Sequence, residues 1–167
     1  MRKSLAAFAL IQHPHSPQPR WLGQWNRKWG AYNLVGGHKK ESESFNACCC
    51  REIQEELNLY QQNDFIVELL PMSRLAYTAW SASKKCETAY EVELFQTRLL
   101  HHEALQRIDL QPANRWLTVE EIHRKLADNG EPVSYTIEFL MEKARLLEPI
   151  DLWRCDEEEK SPRPEWH

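Results

Sequence analysis

The segment REIQEEL, Arg51 to Leu57, carries three glutamates within five positions and a single arginine. At about 100° per residue on a helix, Glu55 lies about 60° to one side of Glu52 and Glu56 about 40° to the other, so all three project within an arc of about 100°. Carboxylates three and four positions apart repel by roughly 0.2–0.5 kcal/mol per pair on an isolated helix, and burial raises that cost. A positive partner is therefore required. If Arg51 or another basic side chain supplies it, the cluster is an ordinary solvated acidic face. If a hard divalent cation such as Mg²⁺ supplies it, the cluster is a metal site, because that ion takes carboxylate and water oxygens and bridges to phosphate. The heptapeptide alone admits both readings.

The elements that would position these side chains are legible beside them. Cys50, Ile53 and Leu57 fall between about 100° and 160° on the same wheel, an apolar stripe that anchors a helix against a sheet. The helical pattern starts at Ser44, an N-cap residue type, and runs to about Leu57. Asn58 closes it, because asparagine tolerates the left-handed conformation that ends helices. The adjacent Cys48, Cys49 and Cys50 lie on its first turns and point in different directions. They are packing residues rather than one metal site. Upstream, Ala31 to Val35 reads as a short strand ending at Gly36 and Gly37.

Counting back from Arg51, seven residues separate it from Glu43, and five more separate Glu43 from Gly37. The run from Gly37 to Leu59 resembles the signature of the Nudix hydrolase family, G-x5-E-x7-R-E-U-x-E-E-x-G-U with U a bulky aliphatic residue. Gly37, Glu43, Arg51, Glu52, Ile53, Glu55, Glu56 and Leu59 match it. Asn58 stands where the family has glycine, and asparagine is the next best residue for that backbone. With each fixed residue at about 6% abundance, chance produces such a match in a chain this long about once in a million. The motif covers 23 residues. Beyond it, WGAYNLVGG resembles the strand that carries the family's glycine loop, and NRWLTVEEI its strand and capped helix near the C-terminus.

The resemblance implies Mg²⁺-dependent hydrolysis, with Mn²⁺ as a substitute, of a phosphoanhydride in a nucleoside diphosphate linked to another group. Nucleotide sugars, ADP-ribose, dinucleoside polyphosphates and nucleoside triphosphates are substrates of that kind. By family correspondence Glu56 is a principal metal ligand, with Glu55, Glu52 and the Gly37 carbonyl completing the set. Glu52 could also act as general base. Arg51 is expected to hold a glutamate such as Glu43 by a bidentate pair. Some members take the base from a loop outside the motif, for which Glu91, Glu93 and Glu103 are candidates and ordinary exposed carboxylates the simpler reading. Arg27, Lys28, Lys39 and Lys40 could contact phosphate, and Trp29, with Trp21, Trp25 and Tyr32, could stack a base. Solvated surface and packing are the plainer roles for these residues. Two alternatives stand beside hydrolysis: a catalytically silent nucleotide-binding or regulatory module, and a prenyl diphosphate isomerase whose extra acid and base residues cannot be placed.

Composition bounds the rest. With 167 residues and 42% apolar content, the chain suits one hydrophobic core. A single domain over residues 1–150 and a charged tail over 151–167 are expected, the segment DEEEKSPRPEWH reading as disordered. A net charge of −4 lacks the basic field that a long nucleic acid requires. Five cysteines, three of them adjacent, fit no disulfide framework and suggest a reducing cytoplasmic setting. The start MRKSLAAFALIQ imitates a signal peptide but reads better as a buried strand, and no run approaches the roughly 20 apolar residues of a membrane span.

Other elements follow from local pattern. His13–Arg20 is a proline-rich loop; Phe65–Leu70, Leu75–Trp80, TAYEVELFQTRL and Arg115–Leu117 are strands. Thr118 with Glu121 caps a helix from Val119 to about Asp128, and Tyr135–Leu147 is a last amphipathic helix. This order predicts an α/β (α+β) chain with a mixed β-sheet sandwiched between helices and the motif as loop–helix–loop. The expected partner is a small-molecule nucleoside diphosphate derivative; no motif encodes oligomeric state, although exposed strand edges are compatible with a homodimer.

Overall fold

The computed structural model describes residues 1–81 and 83–148; the charged tail and the proposed boundary at residue 150 lie outside the described residues. In chain order the elements are β1 (Arg2–Ile11), β2 (Arg20–Asn26), β3 (Ala31–Asn33), β4 (Gly36–His38), α1 (Phe45–Leu57), β5 (Phe65–Val67), β6 (Ser73–Ser81), β7 (Cys86–Leu99), α2 (His102–Asp109), β8 (Asn114–Thr118), α3 (Val119–Arg124) and α4 (Tyr135–Lys143).

The apolar N-terminal run is the central strand. β1 pairs parallel with β7 from Arg2↔Thr88 to Ile11↔Thr97 and antiparallel with β4 through Ala7↔Gly37. A parallel strand covered on both faces needs a continuous apolar run rather than alternation. Ala6, Phe8 and Leu10 accordingly enter one core, with Leu94, Ile122, Ile137 and Leu140. Ala7, Ala9 and Ile11 enter the other, with Cys48, Cys49, Cys50, Ile53, Leu57 and Phe95. β5 and β6 both pair antiparallel with β7, on the edge that β1 does not use. A second sheet has the order β3-β2-β8. The architecture is thus the mixed sheet between helices that the element order predicts.

Several boundaries differ from the sequence reading, each for a local reason. The strand expected at Phe65–Leu70 stops at Val67, leaving Leu69 and Leu70 exposed. The helix from Val119 stops at Arg124 because Lys125 turns left-handed at φ 56° and caps it. The last helix ends at Lys143, two residues before Arg145 at φ 59°. Gly36 and Gly37 do not end a strand; they begin β4, paired to β1. β2 and α2 have no counterpart in the sequence reading, although α2 carries Ala104, Leu105 and Ile108 into the core. No helix among the described residues is long and apolar enough to cross a membrane.

The expected capping box at α3 is present and extended. Glu121 Oε2 accepts from the Thr118 amide at 2.8 Å, while Oε1 accepts from the Asp128 amide at 2.7 Å and from Arg115 at 3.3 Å. Burial alone would raise this carboxyl, but the Thr118 and Asp128 amides, the Thr118 hydroxyl and Arg115 outweigh it and hold it below its ordinary value. A depressed folded pKa contributes stability that is present above the unfolded carboxylate value and lost as pH falls through the folded one. Glu121→Ala should therefore cost about 2–4 kcal/mol at neutral pH in urea unfolding, since it strands two amides and a guanidinium. The deficit relative to wild type should shrink as pH falls below about 4. A deficit below about 1 kcal/mol, or one independent of pH, would contradict this role.

Candidate active site

Local sequence places α1 closely. Ser44 accepts from the Ala47 amide, and Asn58, at φ 53°, closes the helix with its own amide on the Gln54 carbonyl. Cys48, Cys49, Cys50, Ile53 and Leu57 are its buried face. The thiols are packing groups: burial pushes Cys48 up to about 11 and carries Cys49 well above the ordinary thiol value. The glutamates lie along the margin of that buried face, Glu52 mostly covered and Glu55 57% exposed.

Two glycines of β4 make the surface that receives them. The Gly36 amide donates to Glu56 Oε2 at 3.2 Å. At Gly37, an added Cβ would sit 2.6 Å from Glu52 Oε1, so the missing side chain is the space that the Glu52 carboxylate fills. Gly37 and Glu52 thus share one cradle, as the motif spacing implies.

Arg51 is the electrostatic hub. Its Nε and Nη2 bond both oxygens of Glu43, at 3.0 and 2.7 Å, in the expected bidentate pair. The same guanidinium reaches Glu52 at 2.7 Å, Glu55 at 3.2 Å and the His38 carbonyl at 3.2 Å. The pair with Arg51, and then the Lys40 amide, hold Glu43 down at about 2. Three carboxylates, Glu43, Glu52 and Glu55, share this one arginine, and Glu56 beside them has no bond to it. Burial first, then the charges of Glu52 and Glu55, push Glu56 up to about 7 against the pull of the Gly36 amide. Arg51→Lys keeps the charge but cannot span this fork. It should lower both the unfolding midpoint and turnover, the latter by up to about a hundredfold through misplacement of Glu52; unchanged kinetics would remove Arg51 from the positioning role.

The end of α1 is held by residues that no sequence signal marks. Gln24 on β2 donates to the Glu56 carbonyl at 3.2 Å and to Asn114 at 3.0 Å. Gln111 donates to the Leu57 carbonyl at 2.8 Å. These amides satisfy carbonyls that the last helical turn leaves open. They fix where Glu55 and Glu56 leave the helix.

The remaining candidates separate. Ala7 pairs both Gly37 and Glu93, so Glu93 shares a cross-strand row and a sheet face with Gly37, about 10 Å away by strand spacing. Glu93 is paired with Arg74 at 3.1 Å, Glu91 with Lys3 at 2.6 Å, and Glu103 with His101 at 3.0 Å at the start of α2. Trp21 and Tyr32 are buried in the core, and Trp25 packs edge-to-face on Tyr32 at 5.3 Å. Of the four stacking candidates, Trp29 is the one that is open, 51% exposed in the turn between β2 and β3. Arg27 and Lys28 occupy the same turn, which the Asn26 side chain braces through the Lys28 and Trp29 amides. That turn begins three residues after Gln24, about 10 Å along the strand from the Glu56 carbonyl. The Lys39 ammonium bonds the Lys40 carbonyl at 3.1 Å and lies over the Phe45 ring at 5.9 Å.

The side-chain donors at the cradle are hard carboxylate oxygens, Glu52 and Glu56, with Glu55 at the rim; the Gly37 carbonyl, the other expected ligand, accepts from the Cys48 thiol at 3.5 Å. Such oxygens suit a hard divalent cation, and Glu56, bonded by the Gly36 amide but without an ion-pair partner among the described residues, is the half-buried charge such an ion would offset. The three motif carboxylates are spread more widely than His123, Glu138 and Glu142, whose ligand atoms all lie within 4.8 Å of one another.

The fold and this cradle define a Nudix domain. The NUDIX domain model matches residues 4–137, most of the chain, so the chain belongs to that family. A search of curated protein sequences returned no match. Among solved structures, it is similar to NrtR from Shewanella oneidensis, with 17% identity and a TM-score of 0.58 over 84% of this chain and 61% of that one. The chain thus spans about three-fifths of the NrtR length. It is similar to a C. elegans Ap4A hydrolase, with 17% identity and a TM-score of 0.54 over 86% and 96% of the two chains. A NUDIX hydrolase from Nitrosomonas europaea gives 18% identity and a TM-score of 0.55 over 90% and 95%. At these identities the structural likenesses speak for the fold.

Proposed function

We propose that this chain is a Nudix-type pyrophosphohydrolase that uses Mg²⁺, or Mn²⁺ in its place, to cleave a phosphoanhydride in a nucleoside diphosphate linked to a second group. The observation that carries the reading is the cradle: Gly36 and Gly37 of β4 face Glu56 and Glu52 of α1. The bound cation would supply neutralisation of the diphosphate charge and a more acidic attacking water. Gly37, Glu52, Glu55 and Glu56 would hold it. The chain's own groups do the rest. Arg51 fixes Glu52 and Glu43, Glu52 takes the proton from the attacking water, and burial of the cradle margin strengthens each of these interactions. Arg27, Trp29 and Lys39 bind the substrate, the first two from the β2–β3 turn. Three buried thiols support a reducing, cytoplasmic setting.

A second reading, a nucleotide-binding module without catalysis, is favoured by one observation: Arg51 already occupies Glu52 and Glu55. A substrate panel decides between them. Nucleotide sugars, ADP-ribose, NADH, nucleoside triphosphates and Ap4A, the compound in the C. elegans neighbour's name, are incubated with and without Mg²⁺ and with a chelator. Mg²⁺-dependent product formation from at least one compound is expected. Binding of a panel member without cleavage under any metal condition would establish the second reading instead.

A further inference from the structure

β6 presents an open edge. It pairs with β7 along Ser73–Ser81, and among the described residues no strand pairs with its other side. Nine residues free of proline and glycine expose backbone donors and acceptors there, an arrangement that solitary proteins usually blunt with lysines, proline or a bulge. Its single basic residue, Arg74, stands near one end with a side chain 70% exposed, and Trp80 stands near the other, 68% exposed. Both belong to the outward row Arg74, Ala76, Thr78 and Trp80, which alternates with the more covered Leu75, Tyr77 and Ala79.

We propose that this edge pairs antiparallel with β6 of a second copy of the chain, about a two-fold axis through Tyr77. Hydrogen-bonded and non-hydrogen-bonded pairs alternate along an antiparallel ladder, so a two-fold axis must pass through a residue pair of one kind and cannot fall between two. Tyr77 is the midpoint of β6. Centring there puts Arg74 opposite the partner's Trp80, and Ala76 opposite the partner's Thr78, each twice. Arginine on tryptophan is a favourable cation–π pair, and a cation and an aromatic ring equidistant from the midpoint make the strand its own complement. A foreign strand would have to bring that complement with it. Arg74 is already steadied by Glu93 at 3.1 Å, so its guanidinium is held beside the sheet before the partner arrives. The pairing also lengthens the row Gly37, Ala7, Glu93, Arg74 by the partner's Trp80, giving each carboxylate-bearing face an aromatic wall from the other copy.

Light scattering on the full chain, across micromolar to near-millimolar concentrations, should give a dimer. Trp80→Lys, which sets two lysines against two arginines, should give a folded monomer. Mild oxidation of the Ala76→Cys/Thr78→Cys double variant, which keeps Arg74 and Trp80, should trap a covalent dimer, whereas each single variant, whose new thiols lie diagonally across the ladder and beyond disulfide reach, should not. A monomeric wild type, a dimer indifferent to Trp80→Lys, or a double variant no more cross-linked than the single ones would overturn the proposal; a mass shift only with an added β-strand peptide would assign the edge to a foreign partner.

Discussion

Glu56→Gln should reduce Mg²⁺-supported turnover of any good substrate by about a thousandfold or more, several kcal/mol of barrier, while leaving the fold intact. The two halves of that result have separate causes. Glutamine keeps an oxygen for the Gly36 amide, so the β4–α1 contact survives. It removes a charge that burial and the neighbouring Glu52 and Glu55 already disfavour, which is why Glu56 stands near 7 rather than in the usual carboxylate range. The metal-free protein should thus be as stable as wild type or slightly more so. A cation at the cradle, by contrast, loses the one carboxylate that Arg51 does not already neutralise. Glu55→Gln provides the scale: Glu55 is exposed and shared with Arg51 at 3.2 Å, so its loss should cost far less. Steady-state rates over a Mg²⁺ titration, with thermal unfolding alongside, separate the effects. Equal turnover by wild type and Glu56→Gln would sink the metal assignment.

Gly36→Ala should destabilise the chain by about 4 kcal/mol or more, at the severe end for a single substitution. Gly36 sits at φ 147°, where L-residues are strained. Its added Cβ would meet the Ala7 carbonyl oxygen at 2.2 Å and the Phe8 Cα at 2.7 Å. Both atoms are backbone of β1, which ten paired positions lock to β7, so neither can yield. Gly37→Ala is the informative contrast, because its Cβ would meet the Glu52 carboxylate, the far end of a flexible side chain. That variant should fold and lose activity. Urea unfolding of both variants checks the pair, and a Gly36→Ala loss below about 1 kcal/mol would refute the strand pairing of β4.

The contrast between neighbouring glycines also shows where sequence reading reached and where it stopped. α1 was legible from end to end because its signals are local: the Ser44 cap, the Cys50–Ile53–Leu57 stripe and the left-handed Asn58 are all within the helix or one residue of it. The Thr118–Glu121 box was legible for the same reason. Glycines usually punctuate chains, so Gly36 and Gly37 look like a strand end in sequence, yet here they permit close approach to β1 and to Glu52. α2 carries no such local signal, because its cap is the His101 side chain, outside the usual capping set, accepting from the Ala104 amide. The motif pairs Arg51 with Glu43 and the plainer reading of the heptapeptide pairs it with the glutamate cluster; that one guanidinium does both at once shows only in three dimensions. Gln24 on β2 and Gln111 in the α2–β8 connection reach α1 from 32 and 54 residues away, and no local pattern encodes that proximity.

The cysteine triplet of α1 has a consequence in time rather than in space. Cys49 is wholly covered, and its thiol is shifted far from the reactive thiolate form. An alkylating reagent can reach it only when α1 lifts from the sheet, so its labelling rate is a clock for the opening of the helix that carries the glutamates. The chain thus contains its own reporter of how often the cradle comes apart, and any ligand that binds across β4 and α1 should slow that clock in proportion to its hold on both.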